Sequence, residues 1–166
     1  MSKKLFLLPA FILGAFLAVT TTSCSDKCKD VDCGTGTCLD GTCECGDGFE
    51  GTNCEIEWTA KFLGSYLGND VVTASTAGNV GTYALLSPAV ATRVSETEIQ
   101  ISNFGGFNSI LRATVENSTH LHINYTDPGG RVFDGEGQIS GNTLSGTYRV
   151  TYSDATYDDA TFTYNK

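Results

Sequence analysis

Basic side chains are scarce in this 166-residue chain: ten Lys and Arg stand against 19 Asp and Glu, for a formal charge of −9. Such a field repels a phosphate backbone at long range, which excludes a general nucleic-acid binder. Long apolar runs are missing too. The longest, Leu5–Val19, has fifteen residues; as a helix it would rise about 22 Å, short of the roughly 30 Å hydrocarbon core. Pro9 and Gly14 weaken it further as a permanent span. Cysteine does not occur after residue 54, and proline occurs only three times. No nucleophile elbow, Gly-rich phosphate loop or metal-ligand motif is present, so the chain reads as non-enzymatic, with no cofactor and no metal. The length holds one ordinary domain plus something small.

What is present begins with an address. Lys3 and Lys4 precede the apolar run, and small or polar residues follow it, which is the anatomy of a secretory signal. Thr21-Thr22-Ser23-Cys24 resembles the lipobox of bacterial lipoprotein precursors. The resemblance implies that residues 1–23 are removed and that Cys24 heads a lipidated N-terminus, residues 24–27, carrying two or three fatty chains. At about 0.8 kcal/mol per buried methylene, one chain binds a membrane marginally and two or three hold it durably. An ordinary signal peptide, with Cys24 left as an odd thiol, is the alternative. Without Lys3 and Lys4, eight basic side chains face 19 acidic ones, a charge of −11. Ser25, rather than Asp, beside Cys24 resembles the pattern of export to the outer membrane, facing either the periplasm or the cell surface.

Seven cysteines are an odd number for an exported protein, and setting Cys24 aside leaves six between residues 28 and 54. Twenty-seven residues cannot bury a useful core, so covalent staples must replace one. Spacing alone leaves 15 connectivities open. The segment Cys43-Glu44-Cys45-Gly46-Asp47-Gly48-Phe49-Glu50-Gly51-Thr52-Asn53-Cys54 resembles the signature of epidermal-growth-factor-like (EGF-like) modules. That resemblance implies pairs Cys28–Cys38, Cys33–Cys43 and Cys45–Cys54, each closing a loop of about ten residues and contributing about 2.5 to 3 kcal/mol. Zinc is disfavoured by the spacing and the oxidising compartment. Calcium is disfavoured because Asp26 is followed by Lys27 where a second carboxylate would be needed. Asp30, Asp32, Asp40 and Asp47 read as solvated turn residues, and Phe49 as local packing.

After a short linker, 55–57, residues 58–166 are rich in Thr, Ser, Tyr and Val with frequent Gly-Asn turns. In Leu144–Tyr152, Leu144, Gly146, Tyr148, Val150 and Tyr152 share one face and Ser145, Thr147, Arg149 and Thr151 the other, the alternation of a sheet with one wet side. Strands are predicted over 59–66, 80–86, 89–95, 98–103, 110–116, 120–125, 132–139, 143–152 and 160–164. Closing that meander removes its exposed edges, so the fold class is mostly β: a disulfide-rich module plus a small antiparallel barrel, with a β-sandwich as the alternative. Phe62-Leu63-Gly64-Ser65-Tyr66, Ile99–Gly106 and Gly135–Leu144 resemble small lipocalin-like (calycin-like) barrels, which implies either a filled interior or a ligand cavity. The supply of large inward candidates, among them Trp58, Phe62, Tyr66, Tyr148 and Tyr152, favours filling.

Candidate chemistry is thin. His120 and His122 share a strand face that reads as polar, without a third metal ligand. Asp158 with Asp159, and Glu96 with Glu98, are the conspicuous carboxylate pairs, and adjacent surface acids do not make a glycosidase cleft. The reading is a lipid-anchored stalk presenting a barrel to a protein or glycan partner; the alternative is a lipocalin-like carrier of a small apolar ligand. Labelled palmitate is expected to enter the wild-type chain and not Cys24→Ala, with protease treatment of intact cells reporting the side. Equal labelling of both would sink the anchor.

Overall fold

The computed structural model describes residues 27–166; the signal segment 1–23 and Cys24 lie outside the described residues. The N-terminal module carries disulfides Cys28–Cys38, Cys33–Cys43 and Cys45–Cys54. Its hairpin joins β1 (Thr37–Leu39) to β2 (Thr42–Glu44). Cys33 and Cys54 are buried, so sulfur supplies much of the module's interior. Next, β3 (Phe49–Glu50) pairs with β4 (Ile56–Glu57), which draws most of the expected linker into the module's own ladder.

The module is seated against the C-terminal domain at a glycine. Gly48 has φ 91°, and a Cβ there would lie 2.7 Å from the Glu96 Cβ. Its carbonyl accepts the Trp58 amide at 2.8 Å. Ion pairs Lys61–Glu50 and Arg93–Glu57 flank that contact. Water screens exposed pairs of this kind, so they orient the module more than they hold it.

A single 3₁₀ turn (Trp58–Lys61) then leads into the sheet. Its strands are β5 (Gly64–Ser75), β6 (Gly81–Ala84), β7 (Ala89–Arg93), β8 (Glu98–Ser102), β9 (Ile110–Asn117), β10 (His120–Thr126), β11 (Val132–Ser140), β12 (Thr143–Thr151) and β13 (Tyr157–Asn165). Neighbours are antiparallel, and β13 pairs back onto β5 to close a barrel. Nine strands fill only eight ring positions. β6 faces residues 69–72 of β5 and β7 faces residues 64–66, so the two run in the same direction along one neighbour. They are halves of one strand interrupted by Leu85–Pro88, not the arms of a hairpin.

The first expected strand needs correction. Residues 58–61 form the 3₁₀ turn, and β5 starts at Gly64 and continues nine residues beyond Tyr66. Gly68-Asn69-Asp70 has the composition of a turn, yet it stays extended because β13 passes close by: a Cβ on Gly68 would collide with the Thr163 carbonyl. The tight turns elsewhere follow their residues. Gly141 (φ 58°) and Asn142 make the two-residue connection between Ser140 and Thr143.

Alternation places the core. Along β12, Leu144, Tyr148 and Val150 are buried, while Thr147 and Arg149 are exposed. Phe62, Tyr66, Ile99, Ile101, Leu121 and Ile123 are buried as well, whereas Trp58 and Tyr152 are only partly so. Between β8 and β9 a short 3₁₀ segment (Phe104–Gly106) folds inward. The Phe104 ring meets Tyr148, Phe162 and Tyr164 edge-on, with centroids 4.9, 5.1 and 5.7 Å away. It plugs the barrel interior among these rings. Replacing a fully buried Phe by Ala leaves a cavity, so Phe104→Ala is expected to lower unfolding free energy by about 3–5 kcal/mol in urea titration. A loss under about 1 kcal/mol would contradict that plug.

Candidate ligand-binding cavity

Below Phe104 the interior is packed; above it the barrel opens. The four residues Leu85–Pro88 stand opposite two on β5, Leu67 and Gly68, so the wall bows outward there. β6 beyond the interruption has only β5 as a partner. Asn103 (φ 56°) ties the bow to the plug segment, its Nδ2 donating to the Ser87 carbonyl at 2.7 Å. The space enclosed by these elements and the upper ends of β5, β12 and β13 measures about 380 Å³.

Its floor is a buried acid. Asp70, 2% exposed, accepts hydrogen bonds from the Tyr164 hydroxyl at 2.8 Å and the Tyr148 hydroxyl at 3.1 Å. Tyr164 Oη in turn accepts the Gly105 amide at 3.1 Å. Only glycine suits position 105: φ is 63°, and a Cβ would lie 2.8 Å from Tyr148 Oη. Burial pushes the Asp70 carboxyl above the ordinary range, and the two phenols only partly offset it. Burial, then Asp70 itself, pushes both phenols upward, so they remain donors.

A second acid stands on the wall. Asp158, 4% exposed, accepts from Tyr152 Oη at 2.7 Å and from Asn79 Nδ2 at 3.0 Å, both at Oδ2. Its buried Oδ1 accepts no hydrogen bond, although Ser75 stands opposite in the ladder. Burial favours the neutral form, but the surrounding Ser75, Asn79 and Tyr152 outweigh it and hold this carboxyl below the ordinary range. Burial and Asp158 push the Tyr152 phenol up to about 12. Asn79 is held by its loop: its amide donates to Ser75 Oγ at 2.9 Å and its carbonyl accepts from Tyr83 Oη at 2.8 Å.

The carboxylate pair flagged in the sequence is therefore split. On β13, Asp158 points into the cavity, whereas Asp159 points outward onto Arg149 at 2.6 Å; reading both as surface acids is corrected for Asp158. Glu96 pairs with Arg93 and Glu98 with Arg112, away from the cavity. His120 and His122 lie on the outer face, the former beside Thr119 and Asn117. The six bridged cysteines all lie in the N-terminal module. Sequence reasoning did not single out Asp70; Asp127-Pro128-Gly129-Gly130, a turn by its composition, is a turn in the structure. In that turn, Asp127 Oδ1 accepts the Gly129 and Arg131 amides at 2.9 Å each. The available signal for Asp70 was the Val71-Val72-Thr73 run after it, which extends a strand and turns residue 70 inward with Tyr66 and Val72.

The fold defines a small closed antiparallel barrel behind a three-disulfide module. No protein-family model and no curated protein matches the chain. Among solved structures it is similar to a redesigned β-barrel, b11L5F_LGL, at 11% identity and TM-score 0.45, over 65% of this chain and 93% of that one. It is also similar to EF1p2_mFAP2b bound to DFHBI, at 13% identity and TM-score 0.48, over 64% and 94% of the two chains.

The two acids give opposite pH signatures. Asp70 has a folded value above its unfolded one, so its contribution falls as pH rises from about 4, the ordinary carboxylate value, towards the raised one. Asp158 has a lowered folded value, so its contribution is present above about pH 4 and is lost as pH falls below it. Urea titrations between pH 2.5 and 7 are expected to show Asp70→Asn removing the first component and Asp158→Asn the second. The same change in both variants would contradict the assignment.

Proposed function

We propose that the chain is an exported, lipid-anchored binding protein that holds a small ligand in the barrel mouth and performs no chemistry on it. Cys24 supplies the anchor, and residues 28–54, EGF-like in their cysteine pattern, mount the barrel off an outer-membrane surface. The observation that carries the ligand reading is the 380 Å³ cavity above Phe104, within the range of about 300–1,000 Å³ typical of small-molecule sites. Apolar side chains and a few converging polar groups line it, the composition such sites need. This favours the carrier reading over a barrel that only displays its outside.

A protein or glycan partner is the second reading, favoured by the apolar rim. Leu86 is 98% exposed, and Tyr83, also lining the cavity, is exposed too. Two such side chains at one opening suit passage of a ligand as well as contact with a partner.

The fluorescent probe N-phenyl-1-naphthylamine is expected to brighten on mixing with the full chain. Ala84→Trp, at an exposed position lining the cavity, should abolish that signal with little change in melting temperature. No brightening with folded wild type, or equal brightening with the variant, would refute the mouth as the site.

A further inference from the structure

The cavity's charge is one-sided. Asp70 and Asp158 both line it, and no Lys, Arg or His among the described residues does. Neither acid belongs to an ion pair among the described residues. The cations are spent elsewhere: Lys27, Lys61, Arg93, Arg112, Arg131 and Arg149 all pair with other acids. Arg131 comes nearest, stacked at 4.8 Å over Phe107, a cavity-lining ring, but its guanidinium is held by Asp127 at 2.6 Å. Lys166 packs over the Tyr66 ring and donates to the Lys61 carbonyl, at the other end of the barrel.

Buried carboxylates without a counter-charge are costly, and proteins ordinarily pair or neutralise them. Asp158 is the sharper case, since it is nine-tenths buried, lines the cavity, and keeps one oxygen without a hydrogen bond. Its two hydrogen-bond donors, Tyr152 and Asn79, are neutral, so they leave its charge in place. The rest of the lining fits an organic rather than a metal cation. Tyr83, Phe107, Tyr148 and Tyr152 bring aromatic rings, whose faces attract cations. Leu85 and Val150 add apolar surface, and no cluster of three metal-ligating side chains occurs among the described residues.

We propose that the barrel mouth selects a small hydrophobic amine, its ammonium against the Asp158 and Asp70 wall and its apolar body against Leu85, Val150 and Phe107. The cavity volume, near the lower end of the small-molecule range, suits one aromatic ring on a short alkylamine chain. This inference rests on the ligand-binding reading and adds the class of ligand.

Three probes of nearly equal shape test it on the full chain: 2-phenylethylamine, 2-phenylethanol and 3-phenylpropionate, each by calorimetry and by displacement of N-phenyl-1-naphthylamine. The amine is expected to bind at least about tenfold more tightly than the alcohol, the scale of a hydrogen bond to a charged group. The carboxylate should not bind. Asp158→Asn should erase the preference for the amine over the alcohol. Should that variant fail to fold, the ranking of the three probes on the unsubstituted chain still decides. Equal binding of amine and alcohol, or binding of the carboxylate, with the naphthylamine still retained, overturns the amine and leaves the ligand-binding reading standing. Failure of the naphthylamine and all three probes overturns both.

Discussion

Pairing of the last strand with the first is the contact the rest presupposes. β13 lies along β5 from Asn165 opposite Leu67 to Asp158 opposite Ser75. Closure removes every free edge of the ring except that of β6 and gives the sheet an inside. It also makes Asp70 and Tyr164, separated by 94 positions in sequence, hydrogen-bonded neighbours. Phenols from β12 and β13 then supply the donors a buried carboxylate requires. The floor of the cavity is thus a product of closure, and an open sheet of the same strands would leave these acids to water.

How much of this was legible in the sequence follows from what alternation can carry. Where apolar and polar residues alternate without interruption, as from Leu144 to Thr151, strand and inward face both come through. The closed barrel followed from the number of such runs and their short turns. Gly68-Asn69-Asp70 lies beyond the expected strand 59–66, and its extended form has a tertiary cause: glycine accommodates the passing backbone of β13, and the acid is inward where two phenols meet it. Asp158 was missed for a related reason. β13 was expected to start at Ala160, but it begins at Tyr157, and adjacent residues on a strand must face opposite sides. A plug formed by residues 104–106 has no periodic signal at all, since Asn103, Gly105 and Gly106 all adopt positive φ.

Surface and interior divide the charge between them. The outer face carries ion pairs, two of them bridging adjacent strands, Arg149–Asp159 and Arg112–Glu98. The interior retains acids alone, softened by hydroxyls. Hydroxyl donors satisfy a carboxylate's geometry without cancelling its charge, so the cavity keeps a negative potential that a guanidinium partner would have removed. The N-terminal module contacts the domain at Gly48 and through Glu50, on the side of the 3₁₀ turn that opens the domain, and contributes no residue to the cavity.

The interruption at Leu85–Pro88 separates two jobs that one continuous strand would have combined. β7 takes part in the ring, while β6 bonds only to β5. The upper flap can therefore swing aside by giving up its own four-residue ladder, with every hydrogen bond of the eight-membered ring intact. Opening of the mouth is then uncoupled from unfolding of the shell.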